Sequence, residues 1–293
     1  MSASQGPQTE DMTAPQSGLP PVHVAGPDTL WDEVRERAED TGRVVVHTTW
    51  GEWLTAAVLD PGLRTLLGQD WPRYRQAPDQ AGRFAFAVSR MVMKHTVAAV
   101  LDAAPAAFDI AYQPGGRPTM RGFGEELHLS LSHTEDLIVA AVSRSGPIGV
   151  DVESGTRHIS YDLLRAQACT QEEAEVLDVL PDDERTARFL RLWTLKEAYT
   201  KALGQGMRRR FSAVGFHWDA EGRPVLAEDS PSARAWSFAT HVVQDRYLVS
   251  EAHRRAEPGT CRRSAPKELA DESLPLARIV EFRGPGRPAG DEG

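Results

Sequence analysis

The run Ile148-Gly149-Val150-Asp151-Val152-Glu153 constrains this chain more than any other. Residues two apart on a strand leave the same face. An otherwise apolar strand therefore carries two carboxylates side by side. On spacing alone two readings stay open. The strand is a hairpin edge with solvated acids, or the acids are oxygen ligands for a hard cation such as Mg²⁺. A second segment, Trp193-Thr194-Leu195-Lys196-Glu197-Ala198-Tyr199-Thr200-Lys201, places Glu197 and Lys201 four apart on one helix face. An ordinary surface ion pair would look the same. However, Leu192, Leu195, Tyr199 and Ala202 point away from Glu197 while Leu190 and Trp193 flank it. A helix apolar on both sides is buried or sandwiched, and a buried acid and base at one spot ask for a ligand or metal. Together the segments suggest phosphoryl-type transfer at an acidic metal site.

Helices and strands both flank these segments. A polar stretch rich in Pro, Ser, Gln and Gly fills 1–21, and a similar one runs from 256 to 293; both are expected to be disordered. Within the second, Ala277 to Phe282 offers only a weakly supported strand. The folded region spans 22–255. Val44 to Val46 reads as a buried strand and Gly82 to Leu101 as a helix with Phe84, Val88, Met91 and Val92 on one stripe. Arg83, Arg90 and Lys94 share another face of that helix, either solvated or anion-binding. Strands follow at Leu127 to Ser132, Leu137 to Ser143 and Ile148 to Val152. The spacers His133–Asp136 and Arg144–Pro147 have hairpin lengths. Thr170-Gln171-Glu172-Glu173 is a capping-box sequence. A second long helix runs from near Asp183 to Leu203, with Gly204 placed for a left-handed cap. Short strands are expected at Val214 to His217, Ala235 to Phe238 and Tyr247 to Glu251. Helix-then-strands thus occurs twice, dividing the chain into halves 22–145 and 146–255.

Composition excludes several classes. The formal net charge is −9 over 293 residues, which argues against general nucleic-acid binding. Two cysteines, Cys169 and Cys261, build neither a zinc site nor a disulfide framework. The longest aliphatic stretch, Leu137 to Val142, is too short to span a bilayer. The first twenty residues hold no apolar core, so no secretory signal is expected. These features lead to the expectation of a cytoplasmic protein without membrane or nucleic-acid partners.

Other polar residues add weaker signals. Ser130, Ser132 and His133 end a strand; they are a polar turn approach or a set of phosphate donors. A serine hydrolase built on Ser132 and His133 would lack the Gly-x-Ser-x-Gly elbow. Gly115-Gly116-Arg117-Pro118 is a turn presenting one Arg. Arg208-Arg209-Arg210 is a dense patch expected to be exposed.

Four segments in one order, Gly116-Arg117-Pro118, Ser130-Leu131-Ser132-His133, Gly149 to Glu153 and Trp193 to Gly204, resemble the Sfp-type 4′-phosphopantetheinyl transferases over about 70–255. The resemblance implies an α+β fold of two structurally similar halves related by a pseudo-twofold duplication, each a small sheet packed by a long helix, with the active site in the cleft between them. It implies transfer of the 4′-phosphopantetheine arm of coenzyme A to a serine of an apo acyl, aryl or peptidyl carrier protein. Adenosine 3′,5′-bisphosphate is the other product, Mg²⁺ is the cofactor, and a monomer is expected. Carried onto this chain, Asp151, Glu153 and Glu197 look like the metal ligands. Glu197 is also a candidate base, competing with a metal-bound water. Lys201 looks like the pyrophosphate partner. Ser132, His133 and Asp151 resemble coenzyme A contacts, as does Arg117, which stands where the family often has Lys. Arg83, with Arg73 and Arg75, falls where the family gathers charge for the 3′-phosphate. Thr134 follows His133 where Ser is usual, and the basic residues match by region rather than by motif. A non-catalytic carrier-binding module and a Mg²⁺-dependent phosphodiesterase are the alternatives, and a polyketide or nonribosomal peptide pathway is the expected setting.

Overall fold

Two long helices organise the two halves of the chain. The computed structural model describes residues 18–113, 116–121, 127–157, 159–204 and 209–255. Residues 1–17 and 256–293 of the two tails expected to be disordered, with the possible strand at Ala277 to Phe282, lie outside the described residues. So do Gly115 and Arg208.

The first half runs β1 (Val22–His23), α1 (Asp32–Thr41), β2 (Arg43–Thr49), α2 (Trp50–Leu59), α3 (Leu63–Leu67), α4 (Trp71–Gln76), α5 (Gln80–Leu101), β3 (Ile110–Tyr112), β4 (Pro118–Met120), β5 (His128–Thr134) and β6 (Leu137–Ser143). The Asp79 side chain accepts the Gly82 N–H and so caps α5. Val88, Met91 and Val92 of α5 pack on Val44, Val46, Leu129, Ile138, Ala140 and Val142 of a sheet ordered β1-β2-β6-β5. By length and composition α5 alone, among the described residues, could cross a membrane; most of that stretch is buried in this core.

The second half runs β7 (Ile148–Ser154), α6 (Tyr161–Ala168), α7 (Gln171–Asp178), α8 (Asp182–Ala202), β8 (Phe216–Trp218), β9 (Pro224–Leu226), α9 (Pro231–Arg234), β10 (Trp236–Val243) and β11 (Tyr247–Arg254). Asp182, Asp183 and Glu184 occupy the first turn of α8, where carboxylates offset the exposed N–H groups. Gly204, at φ 68°, ends the run as expected. The Thr170–Glu173 capping box forms at the start of α7. Phe189, Leu192, Leu195 and Tyr199 of α8 pack with Phe238, Leu248 and Ala252 of a sheet ordered β10-β11-β7.

The halves repeat one plan. Strand order β2-β6-β5 around α5 is matched by β7-β11-β10 around α8, and hairpin β3-β4 by β8-β9. One side-chain pair carries the repeat to residue level. Buried Lys94 donates to the Leu66 carbonyl and buried Lys196 to the Ala168 carbonyl, each 28 residues upstream. The sheets meet through a third core of Val45, Leu137, Val139 and Ala141 against Ile148, Val150, Val152 and Val249. At this seam β5 lies beside β7, with no ladder between them among the described residues. Instead Ser130 Oγ accepts the Val150 N–H at 3.0 Å.

Three expectations are corrected. Arg144–Pro147 is no hairpin: β2 and β5 already take both edges of β6, so the chain crosses to the other sheet and β7 pairs with β11. Lys94 does not share a surface stripe with Arg83 and Arg90; it lies inside, on the Leu66 carbonyl and near Asp109. The strand expected at Ala235 to Phe238 extends to Val243.

Candidate active site

A glycine sets the distance between the two informative segments. A Cβ on Gly149 would lie 2.0 Å from the Ala198 carbonyl oxygen and 2.5 Å from the Ala202 nitrogen. The backbone of α8 therefore rests directly on β7, which only a residue without a side chain allows. Asp151 and Glu153 share the face of Gly149. The same close approach brings them to Glu197 and Lys201 on α8.

Lys201 Nζ donates to Asp151 Oδ1 at 2.6 Å and to Ser132 Oγ at 2.9 Å. Ser132 Oγ in turn donates to Asp151 Oδ1 at 2.9 Å. Three elements, β5, β7 and α8, thus meet in one triangle of bonds. Asp151 Oδ2 is buried without a hydrogen-bond partner. The Glu153 carboxylate is held by the Arg157 guanidinium. Burial first, and then the Asp151 carboxylate, raise the Glu197 carboxyl above its ordinary range, while Lys201 and Arg157 pull the other way. The cleft has a volume of about 380 Å³.

Six residues singled out in the sequence line this cleft: Ser132, His133, Asp151, Glu153, Glu197 and Lys201. Their carboxylates do not converge on one point; among the described residues no group of three acidic or imidazole side chains forms a cage. Exposed His133 stands at the mouth. Loss of hydration among the surrounding residues, and then the charges of Lys201 and Arg90, lower its imidazole, opposed by Asp151. Ser132 is buried and bonded to Asp151 and Lys201, so it has no base at His133, and the serine-hydrolase arrangement is absent.

The remaining basic residues lie elsewhere. Arg73 and Arg90 both bond Asp70, at 3.3 and 3.0 Å, and stack over the Tyr112 ring. Arg83 stands over Tyr74, and Arg75 is exposed at the end of α4. Arg117 sits beside His128, at 3.1 Å, and next to Gly204. Burial first, and then Arg117, push His128 down to about 4. Of the Arg208–Arg210 patch, Arg209 stacks over Tyr199 while Arg210 is exposed. Sequence reasoning missed Arg157, which also lines the cleft. Nothing in its spacing marks it, because the contact arises from a turn. Arg90 was noticed only as part of a stripe, yet its charge reaches His133.

A family model described as the 4′-phosphopantetheinyl transferase superfamily matches residues 147–252. The 4′-phosphopantetheinyl transferase HetI of Nostoc sp. is 31% identical over 172 residues, which span 58% of this chain and 70% of that protein. A putative 4′-phosphopantetheinyl transferase of Synechocystis sp. is 26% identical over 208 residues, 63% of this chain and 83% of that protein. The holo-(acyl-carrier-protein) synthase of Bacillus anthracis, solved in complex with CoA (3′,5′-ADP), is 20% identical, with a TM-score of 0.33 over 39% of this chain and 98% of its own. With the matched stretch running from β7 through α8 to β11, the chain belongs to the 4′-phosphopantetheinyl transferase superfamily.

Proposed function

We propose that this chain moves the 4′-phosphopantetheine arm of coenzyme A onto a serine hydroxyl of an apo carrier protein, releasing adenosine 3′,5′-bisphosphate. One observation carries the reading: a single cleft at the seam of the halves holds Asp151, Glu153 and Glu197 together with Lys201. The expected carriers are acyl, aryl or peptidyl carriers of polyketide or nonribosomal peptide assembly. In this reading the enzyme acts as a cytoplasmic monomer of two halves, 22–145 and 146–255.

The donor set suits Mg²⁺. It consists of carboxylate oxygens, and Asp151 Oδ2 is buried with no other partner. Asp151, Glu153 and Glu197 would hold the ion, which when bound supplies neutralisation of the charge developing on the leaving phosphate. The protein's own groups do the rest. Lys201 presents a positive charge at the same place and stabilises the departing phosphate oxygen. Glu197, its basicity increased by burial and by Asp151, accepts the proton of the carrier serine directly or through a water. His133 orients the phosphates at the mouth, and Ser132 holds Lys201 and Asp151 in place behind it. Arg73, Arg75, Arg83 and Arg117 are the proposed contacts of the nucleotide part, outside the cleft itself, and the charge of Arg90 reaches His133.

The test is apo-to-holo carrier conversion, followed as a mass increase. Glu197→Gln and Asp151→Ala are each expected to slow conversion at least a hundredfold. Near wild-type rates in both would sink the roles given to these acids, and no conversion by the wild type would leave a carrier-binding module or a phosphodiesterase in place of the transferase.

A further inference from the structure

We propose that Arg157 is a built-in counter-ion that keeps Glu153 from a divalent cation until a phosphate-bearing ligand draws the guanidinium away, so that cation and coenzyme A bind cooperatively. The proposal rests on the reading of the cleft as a metal and coenzyme A site.

The acid cluster is already half-neutralised by the protein. Lys201 holds Asp151, and Arg157 holds Glu153. The charge of Arg157 acts on Glu197 as well. The guanidinium is thus paired with one carboxylate that a cation would need, and its charge acts on a second.

The pair is lopsided in a way that lets it open. The Arg157 side chain is 42% exposed and the Glu153 side chain 13%. The guanidinium can leave into solvent or onto a ligand, whereas the carboxylate stays in the cleft. The turn beneath is fixed: Arg157 N donates to the Ser154 carbonyl, and Gly155 N to the Arg246 carbonyl at 2.7 Å. Motion is thus confined to the long side chain. A guanidinium is also suited to leave a carboxylate for phosphate oxygens, which its fork of N–H groups matches equally well.

Linkage then fixes the sign. A cation arriving alone must displace Arg157 from Glu153 and binds weakly. A phosphate that takes up Arg157 frees Glu153 for the cation, and the cation frees Arg157 for the phosphate. The coupling is positive and reciprocal.

The experiment uses the full chain and reads binding. Free Mn²⁺ is followed by electron paramagnetic resonance with and without coenzyme A, in wild type, Arg157→Ala and Arg157→Gln. In both variants Mn²⁺ alone is expected to bind about fivefold more tightly, the scale of a partly exposed ion pair. The enhancement by coenzyme A is expected to shrink toward one. Unchanged or weaker Mn²⁺ binding in both variants, with their melting temperatures intact, would overturn the proposal. Absence of both Mn²⁺ and coenzyme A binding in wild type would instead overturn the site reading on which it rests.

Discussion

Two lysines show how one buried ammonium can anchor a half of the molecule. Lys196 Nζ donates to the Ala168 carbonyl, the Glu173 carboxylate and the Phe211 carbonyl. It ties α8 to α6, to α7 and to the segment after the helix. Burial lowers its ammonium, opposed by Glu173. Glu173 itself accepts the Thr170 and Phe216 N–H groups. Replacing Lys196 by Met leaves that carboxylate buried without a counter-charge, at a cost of roughly 3–5 kcal/mol. In the other half, Lys94 faces Asp109, whose side chain is 36% exposed and stays hydrated. Lys94→Met is therefore expected to cost only about 1–3 kcal/mol. Urea unfolding of both variants checks the order, and equal losses would contradict it. Much of the cleft was legible at this scale, because Asp151, Glu153, Glu197 and Lys201 have spacings that strand and helix periodicity convert into shared faces. Arg157 was not, since it reaches Glu153 across a turn. Lys94 was misplaced because helical spacing orders faces without saying which one is covered.

Elements acquire their meaning from contact, and the contact of α8 with β7 governs the cleft. Helix limits were readable at the Thr170 box and Gly204, whereas the Asp79 cap, which starts α5 at Gln80 rather than Gly82, was not read. Strand partners were less legible. A four-residue spacer suits a hairpin and a crossover alike, and only the occupied edges of β6 decide between them. Gly149 is the element-scale residue that sequence reasoning passed over as part of a motif. Gly149→Ala puts a methyl into the Ala198 carbonyl, so α8 must lift from β7. The expected cost is roughly 1–3 kcal/mol from overpacking. The expected functional effect is larger, because the shift separates Glu197 and Lys201 from Asp151 and Glu153. Carrier conversion measured well below the variant's melting temperature should fall at least tenfold. A stable Gly149→Ala protein with wild-type turnover would show that the close approach is unnecessary.

At the scale of the whole molecule the halves are joined along the seam, and its end away from the cleft carries polar ties. Arg43 Nε donates to Glu251 Oε1 at 2.5 Å, and His253 Nε2 meets Ser145 Oγ at 3.1 Å. His253 is buried there, and burial first, then Arg43, Arg255 and His128, holds its imidazole down at about 3. His47, on β2, is pushed down to about 4 by burial and then by His23. The unfolded chain, with ordinary imidazoles near 6.5, takes up these protons first as the pH falls. The stabilisation is thus complete above about pH 6.5 and is lost progressively down through the folded values. For His253 the loss between pH 7 and 4 is on the order of 3 kcal/mol. His253→Gln keeps a donor for Ser145 and removes the titration. Urea midpoints compared at pH 7, 6, 5 and 4 should converge: the variant starts no more stable than wild type and loses less on acidification. Carboxylates elsewhere titrate in both proteins, so the difference between the two curves isolates the seam. Parallel curves would mean that His253 is solvated in solution and that the halves part at this end of the seam.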